Sequence, residues 1–130
     1  MYRPHILIVE DDDAVRGELV ELLRALGAGV TSVADGEGAM DASREQSFDL
    51  VLCDYKLKAE NGLDVLSALS ALPSAPDPSQ LFLMSAHRDI TMSGQGDMAA
   101  TMGGLLQKPI GGATLRTLVA AAVAAEARRC

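Results

Sequence analysis

Residues 6–13 read ILIVEDDD, in which four branched apolar residues run directly into four carboxylates. The apolar half predicts a buried β-strand, which His5 and Glu10 extend to the stretch HILIVE. Four adjacent carboxylates repel one another, and they are costly to place at the edge of an apolar sheet. The junction therefore predicts either a bound cation or a solvated helix start that Asp12 or Asp13 caps.

The rest of the chain alternates between strand-like and helix-like segments. Further strands are predicted at residues 30–34, 48–54, 81–86 and 104–109. Apolar residues at helical spacing predict helices at residues 14–27, 37–46, 63–72 and 113–127. Gly27 is expected to end the first helix in a left-handed turn. Residues 87–104 contain four glycines and few helix formers, so we expect a helix there that is short, shifted or mobile.

Five βα units with apolar, non-alternating strands predict an α/β fold, a doubly wound parallel sheet with helices on both faces. Right-handed crossovers place the C-terminal ends of all strands along one edge of the sheet, which is where ligands of such folds bind. The residues at these strand ends are Glu10, Asp11 and Asp12, then Asp54, Ser85 and Lys108.

The strand-end residues combine oxygen ligands with one ammonium group. Oxygen donors with open positions suit Mg²⁺, which keeps several waters, and Mn²⁺ is the alternative. Carboxylates form aspartyl phosphates, and phosphoryl transfer needs mainly positioning and positive charge. Mg²⁺ and Lys108 would supply that charge, and Ser85 would donate a hydrogen bond to a phosphoryl oxygen. The acidic run is therefore best explained as a metal site, part of which also caps the first helix.

Length and composition limit the class of protein. The 130 residues suit one domain, residues 1–130, and a 48% apolar content supports a globular core. A net charge of −7 without a basic stripe argues against nucleic-acid binding. No apolar run reaches the ~18 residues of a membrane span. With two cysteines and no signal-peptide core, we expect a reduced, cytoplasmic protein that does not bind membranes.

The chain resembles the receiver domain of two-component response regulators over nearly its whole length. The resemblance rests on the acidic pair in ILIVEDD, the aspartate of DLVLCDYKL, NGLDVL after it, LMSAH and QKP, in this order and spacing. It implies a flavodoxin-like (βα)5 sandwich of the chemotaxis type, with strand order 2-1-3-4-5. It also implies that Asp54 accepts a phosphoryl group from a histidine kinase or a histidine phosphotransfer protein.

The resemblance assigns roles to the residues around Asp54. Asp11 and Asp54 would ligate Mg²⁺ directly, together with the backbone carbonyl of Lys56, and Glu10 would act through water. Ser85 would be the switch hydroxyl, and its movement would report phosphorylation to the rest of the domain.

Further roles follow for the later strands. Lys108 would be the phosphate partner, joined to Pro109 by a cis peptide bond. Lys56 and His87 would border the phosphoryl group and tune its hydrolysis. Leu105 stands where receivers usually carry a tyrosine or phenylalanine that moves inward with the switch hydroxyl. Leucine offers less area and no hydroxyl, so the substitution puts the usual form of the switch in question.

Three classes of function compete for these residues. We favour a phosphorylation switch, a signalling module rather than an enzyme, that changes binding to a downstream protein. A Mg²⁺-dependent phosphohydrolase would need a second aspartate two residues after Asp54, where the chain has Lys56. A degenerate receiver that only docks partners would be expected to lack Asp54, the acidic pair or Lys108. We expect a monomer without an output domain, either a stand-alone receiver or one derived from a hybrid histidine kinase.

Overall fold

The computed structural model describes residues 3–86 and 103–129. A parallel sheet has the strand order β2-β1-β3-β4-β5 and consists of β1 (His5–Val9), β2 (Gly29–Val33), β3 (Leu50–Asp54), β4 (Leu81–Ala86) and β5 (Gly104–Lys108). The helices of the described ranges are α1 (Asp13–Ala25), α2 (Gly36–Glu45), α3 (Gly62–Ser70) and α4 (Gly112–Arg129). The predicted fold class and strand order are confirmed. The helix expected within residues 87–104 falls outside the described ranges, except for positions 103 and 104.

Helices cover both faces of the sheet. One face packs against α1 and α4 through the buried strand residues Ile6, Ile8, Leu50, Leu52 and Met84. The opposite face packs against α2 and α3 through Leu7, Val9, Val51, Cys53, Leu81 and Leu83. Successive residues of a strand point to opposite faces, so a central strand buried on both sides must be apolar throughout. Each such side chain contributes about 1.5–3 kcal/mol on burial, which is why the run ILIV is a reliable strand signal.

Helix α1 begins after a side-chain cap, and a glycine follows its C-terminal end. Asp12 Oδ1 accepts hydrogen bonds from the backbone N–H groups of Ala14 (2.9 Å) and Val15 (3.0 Å), so Asp12 is the N-cap. Gly27 has a φ of 92°, the left-handed conformation predicted for the end of this helix. Strand β1 ends at Val9, one residue earlier than predicted, and Glu10 begins the loop to α1.

The parallel register brings the strand ends together. Asp54, the last residue of β3, is level with Met84, and Lys108, the last residue of β5, is level with Ala86. The C-terminal ends of the strands therefore lie along one edge, which carries Asp54 and Lys108. None of the helices in the described ranges is both long enough and apolar enough to cross a membrane.

Candidate metal and phosphoryl site

Three carboxylates that the sequence predicts as a metal site lie together at the C-terminal edge of the sheet. Glu10, Asp11 and Asp54 each place one oxygen within 4.8 Å of the others. Glu10 is fully buried and Asp54 is 7% exposed, whereas Asp11 is partly exposed. Within residues 3–86 and 103–129, the carboxylate of Asp11 has no hydrogen-bond or ion-pair partner. The chemistry of this donor set fits Mg²⁺, a hard cation that takes oxygen ligands.

The ammonium group of Lys108 lies between two of these carboxylates. Its Nζ donates to Oε1 of Glu10 and lies 3.2 Å from Oδ2 of Asp54. Burial opposes the charged form of Lys108, but the hydrogen bond to Glu10 and the negative charges of Asp54 and Glu10 outweigh it, and the pKa of Lys108 is raised. The peptide bond from Lys108 to Pro109 is cis. A positive charge is therefore fixed beside the oxygen of Asp54.

Glu10 is the most enclosed group of the site. Burial raises the pKa of its carboxyl and the charge of Asp54 adds to this effect, while hydrogen bonds from Lys108 and from the backbone N–H of Asp12 oppose it. The Asp12 N–H lies 3.1 Å from Oε2 of Glu10. The backbone N–H of Glu10 donates to the carbonyl of Val33 in β2 (3.0 Å). Both carboxylate oxygens of Glu10 thus have donors within the protein.

The predicted switch positions lie on β4 and β5. Ser85 is buried, and its hydroxyl donates a long hydrogen bond of 3.4 Å to the carbonyl oxygen of Ala86. Leu105 lies on the edge strand β5 and is 36% exposed. His87, the second predicted position for tuning hydrolysis, lies outside the described residues. The structure therefore brings Ser85 to the edge that holds Asp54 and leaves Leu105 facing solvent in part.

The loop that follows Asp54 folds back on itself. Lys56 and Asn61 form an antiparallel bridge, and the N–H of Gly62 donates to the carbonyl of Tyr55 (2.7 Å). Lys56 is exposed. It helps to line a pocket of ≈ 230 Å³ whose walls are Asp54, Tyr55, Lys56, Ser85, Ala86 and Lys108. The pocket is large enough for a small anionic group such as a phosphoryl group, beside the carboxylate of Asp54 and the ammonium of Lys108.

Two contacts of the site loops have no counterpart among the sequence predictions. Arg16 in α1 donates from Nη1 to the backbone carbonyl of Glu10 (2.8 Å) and pairs through Nη2 with Asp13. Glu60 accepts a hydrogen bond at Oε2 from the N–H of Gly36, at the start of α2 (2.7 Å). The i, i+3 spacing of Asp13 and Arg16 indicates an ion pair. No signal in the sequence indicates the bond to the Glu10 carbonyl.

Comparison with known proteins identifies the family. Residues 6–120 match the sequence model of the response regulator receiver domain. The chain therefore belongs to the response regulator receiver family of two-component signalling, in which a phosphoacceptor role is typical, and the predicted resemblance is confirmed.

The relatives are longer proteins. Transcriptional regulatory protein FixJ of Bradyrhizobium diazoefficiens is 29% identical over 92% of this chain and 56% of its own length. Ethylene receptor 2 of Oryza sativa subsp. japonica is 32% identical over 81% of this chain and 14% of its own length. The chain thus spans little more than half of one relative and a small part of the other.

Solved structures share the fold. The CheY-like response regulator receiver domain from Methylobacillus flagellatus superposes with a TM-score of 0.80 at 27% identity, covering 93% of this chain and 99% of that one. The receiver domain of sensor histidine kinase PA1611 from Pseudomonas aeruginosa has a TM-score of 0.77 at 24% identity, covering 95% and 99%. That second structure has a magnesium ion coordinated in its active-site cleft.

Proposed function

We propose that Asp54 of this receiver accepts a phosphoryl group from the phosphohistidine of a histidine kinase or a histidine phosphotransfer protein. The observation that carries the proposal is the position of Asp54 Oδ2, 3.2 Å from the ammonium of Lys108 at an open pocket. A carboxylate oxygen of Asp54 forms a bond to phosphorus while the bond from phosphorus to the imidazole nitrogen breaks. Receiver domains accept phosphate from histidine kinases.

The residues present fit a Mg²⁺ ion, which when bound supplies positive charge to the phosphoryl oxygens. Asp11 and Asp54 would hold it, with the backbone carbonyl of Lys56 as a third ligand. Glu10, whose two oxygens accept hydrogen bonds from Lys108 and from the Asp12 N–H, would act through water. Three carboxylates against one ammonium leave this cluster with two formal negative charges, which a divalent cation balances. Mn²⁺, with the same ligand preference, would substitute.

Lys108 and Ser85 would hold the product. The ammonium of Lys108 is already charged and placed beside Asp54, so it would contact phosphoryl oxygens without reorganisation of the strand. The hydroxyl of Ser85 gives up only a 3.4 Å bond if it turns to a phosphoryl oxygen. Leu105 would follow this movement with less buried area than a ring. The exposed Lys56, with His87, would set the rate at which water removes the group.

The output proposed for phosphorylation is a change in the binding of a downstream protein. The domain acts as a signalling switch and not as an enzyme with a separate substrate. We place it in the cytoplasm, where a free, buried thiol such as Cys53 is typical, and its net charge of −7 does not favour nucleic acid. We further propose that it acts as a monomer. Receiver sequence occurs within both a transcriptional regulator and a receptor. The two proposed origins of this domain are a stand-alone receiver and a receiver derived from a hybrid histidine kinase.

Intact mass after incubation with Mg²⁺ and a small phosphodonor tests the proposal. We expect a labile adduct of one phosphoryl group on the wild type and on Asp64→Ala, a control at an exposed aspartate of α3. We expect none on Asp54→Ala. An adduct that persists in Asp54→Ala would move the acceptor elsewhere. A folded wild type that takes neither a phosphoryl group nor beryllofluoride would favour a domain that only docks partners.

A further inference from the structure

We propose that Arg16 is a positioning residue for the metal site, because its guanidinium fixes the peptide group that joins Glu10 to Asp11. The proposal rests on the proposed function, in which Asp11 is a direct ligand of Mg²⁺. Arg16 does not touch the phosphoryl group or the metal in this scheme. It sets the direction in which the next residue presents its carboxylate.

The two contacts of Arg16 differ in how far they are exposed to solvent. Nη1 donates to the carbonyl oxygen of Glu10 at 2.8 Å, a bond that is partly buried. Nη2 pairs with Asp13, whose side chain is 90% exposed, while the side chain of Arg16 is 22% exposed. An ion pair with so exposed a partner contributes little to stability. The charged donor to the Glu10 carbonyl is therefore the contact with structural consequence, and Asp13 serves to hold the guanidinium at the angle that this bond requires.

Because the peptide bond is planar, the hydrogen bond from Arg16 to the Glu10 carbonyl also orients the backbone that leads to Asp11. The oxygen that Arg16 holds belongs to the peptide plane that contains the Cα atoms of both Glu10 and Asp11. The other side of Glu10 is held as well, since its N–H donates to Val33 and its carboxylate bonds Lys108. The peptide plane after Glu10 could still rotate, and that rotation would change the direction of Asp11. Arg16 blocks it.

Arg44 is a second arginine in an i, i+3 ion pair, and it serves as a comparison for Arg16. Arg44 pairs with Asp41 at the same i, i+3 spacing on α2, at 3.2 Å, and both side chains are exposed, at 61% and 67%. In the described part of the chain, Asp41 is the sole partner of Arg44. The ion pair alone therefore does not bring an arginine onto a backbone carbonyl. Arg16 makes that contact because it lies in α1 next to the acidic residues 10–13.

Removing Arg16 distinguishes positioning from electrostatic repulsion, because the two effects change Mg²⁺ affinity in opposite directions. A cation near a metal site repels the metal ion, so electrostatics alone predict tighter Mg²⁺ binding once the arginine is gone. Loss of positioning predicts weaker binding, since outer contacts that orient ligands typically change metal affinity by about tenfold or more. We expect the Mg²⁺ dissociation constant of Arg16→Ala to rise by about tenfold.

The experiment measures Mg²⁺ affinity by calorimetry in the wild type, Arg16→Ala, Arg16→Lys and Arg44→Ala, with urea unfolding of each. Arg44→Ala should bind Mg²⁺ like the wild type. Arg16→Lys should fall in between, because lysine keeps the charge but lacks the fork that reaches Glu10 and Asp13 together. Without metal, amide exchange at Asp12 should be faster in Arg16→Ala, because its N–H bonds the Glu10 carboxylate across the turn that Arg16 holds at the Glu10 carbonyl.

The outcomes separate the two proposals. Weaker binding in Arg16→Ala, with faster exchange at Asp12 and an unchanged Arg44→Ala, supports positioning. Equal or tighter binding in Arg16→Ala overturns it while the metal site stands. If Arg16→Ala is too unstable to measure, an Arg16→Lys variant with wild-type affinity and exchange overturns it as well. A wild type that binds no Mg²⁺ overturns the metal site itself, and the role of Arg16 falls with it.

Discussion

Gly62→Ala should disrupt the loop that presents the phosphoacceptor. Gly62 begins α3 directly after Asn61, its N-cap, and its N–H donates to the carbonyl of Tyr55 (2.7 Å). A Cβ on Gly62 would lie 2.0 Å from the carbonyl oxygen of Asp54, 2.8 Å from its carbonyl carbon and 3.0 Å from the Cα of Tyr55. All three atoms belong to the backbone, so no rotamer change relieves the clash.

The size of the effect follows from these distances. Non-bonded atoms prefer a separation of about 3.5 Å, so the two backbone segments must part by about 1.5 Å. Overpacking of this kind costs about 3 kcal/mol, and weakening of the bond from Gly62 to Tyr55 adds about 1 kcal/mol. At this chain length, that total lowers the melting temperature by more than about 10 °C. Because the displaced carbonyl is that of Asp54, Mg²⁺ affinity should fall as well.

Urea unfolding followed by circular dichroism measures the change, with Gly17→Ala as the matched control. Gly17 lies inside α1, and a Cβ there would meet nothing within 4 Å. Alanine at this exposed helix position should raise the free energy of unfolding by about 1 kcal/mol. The same substitution at two glycines should thus change stability in opposite directions. A Gly62→Ala protein as stable as the wild type would show that the loop around Asp54 is not held as closely as the structure indicates.

Two further substitutions test single contacts of the site. Lys108→Met should lower the free energy of unfolding by about 3 kcal/mol, because it leaves the buried carboxylate of Glu10 without its cation. Adding Glu10→Gln should recover most of that loss in urea unfolding, and a double variant no more stable than Lys108→Met would contradict the pairing. Asp12→Ala should cost about 1 kcal/mol by removing the cap of α1, while the Mg²⁺ dissociation constant changes less than about twofold. A large loss of Mg²⁺ affinity in Asp12→Ala would make Asp12 a ligand instead of a cap.

Strands could be predicted from the sequence where they are buried on both faces, because such strands are continuous apolar runs. Strands β1, β3 and β4 are central, and their apolar runs locate them to within two residues at each end. Strand β2 is an edge strand with partly exposed residues, and it begins at Gly29, one residue before the predicted start. Glycine has no strand preference, and here pairing with His5 of β1 places it in the sheet. The start of this edge strand is therefore decided by its pairing partner and not by the local sequence.

The site could be predicted as a set of residues but not as a set of contacts. Topology alone brings the ends of parallel strands together, so Asp54 and Lys108 were expected at one edge. That Lys108 bonds Glu10, 98 residues away, depends on which oxygen each rotamer presents, and the sequence carries no trace of it. The same holds for Arg16. Its i, i+3 spacing to Asp13 predicts a surface ion pair but gives no indication of its hydrogen bond to the Glu10 carbonyl.

The run EDDD is tolerated at the end of a buried strand because its four carboxylates do not share one environment. Glu10 turns inward and pairs with Lys108, whereas Asp12 turns back to cap α1, and Asp13 points to solvent beside Arg16. Asp11 alone has no partner within the described ranges, and it lies beside Asp54. Mutual repulsion is thus relieved at three positions by cations and N–H groups of the protein. The carboxylate of Asp11, at the fourth position, keeps its negative charge uncompensated by the described residues beside Asp54, and this is where the proposed metal ion would bind.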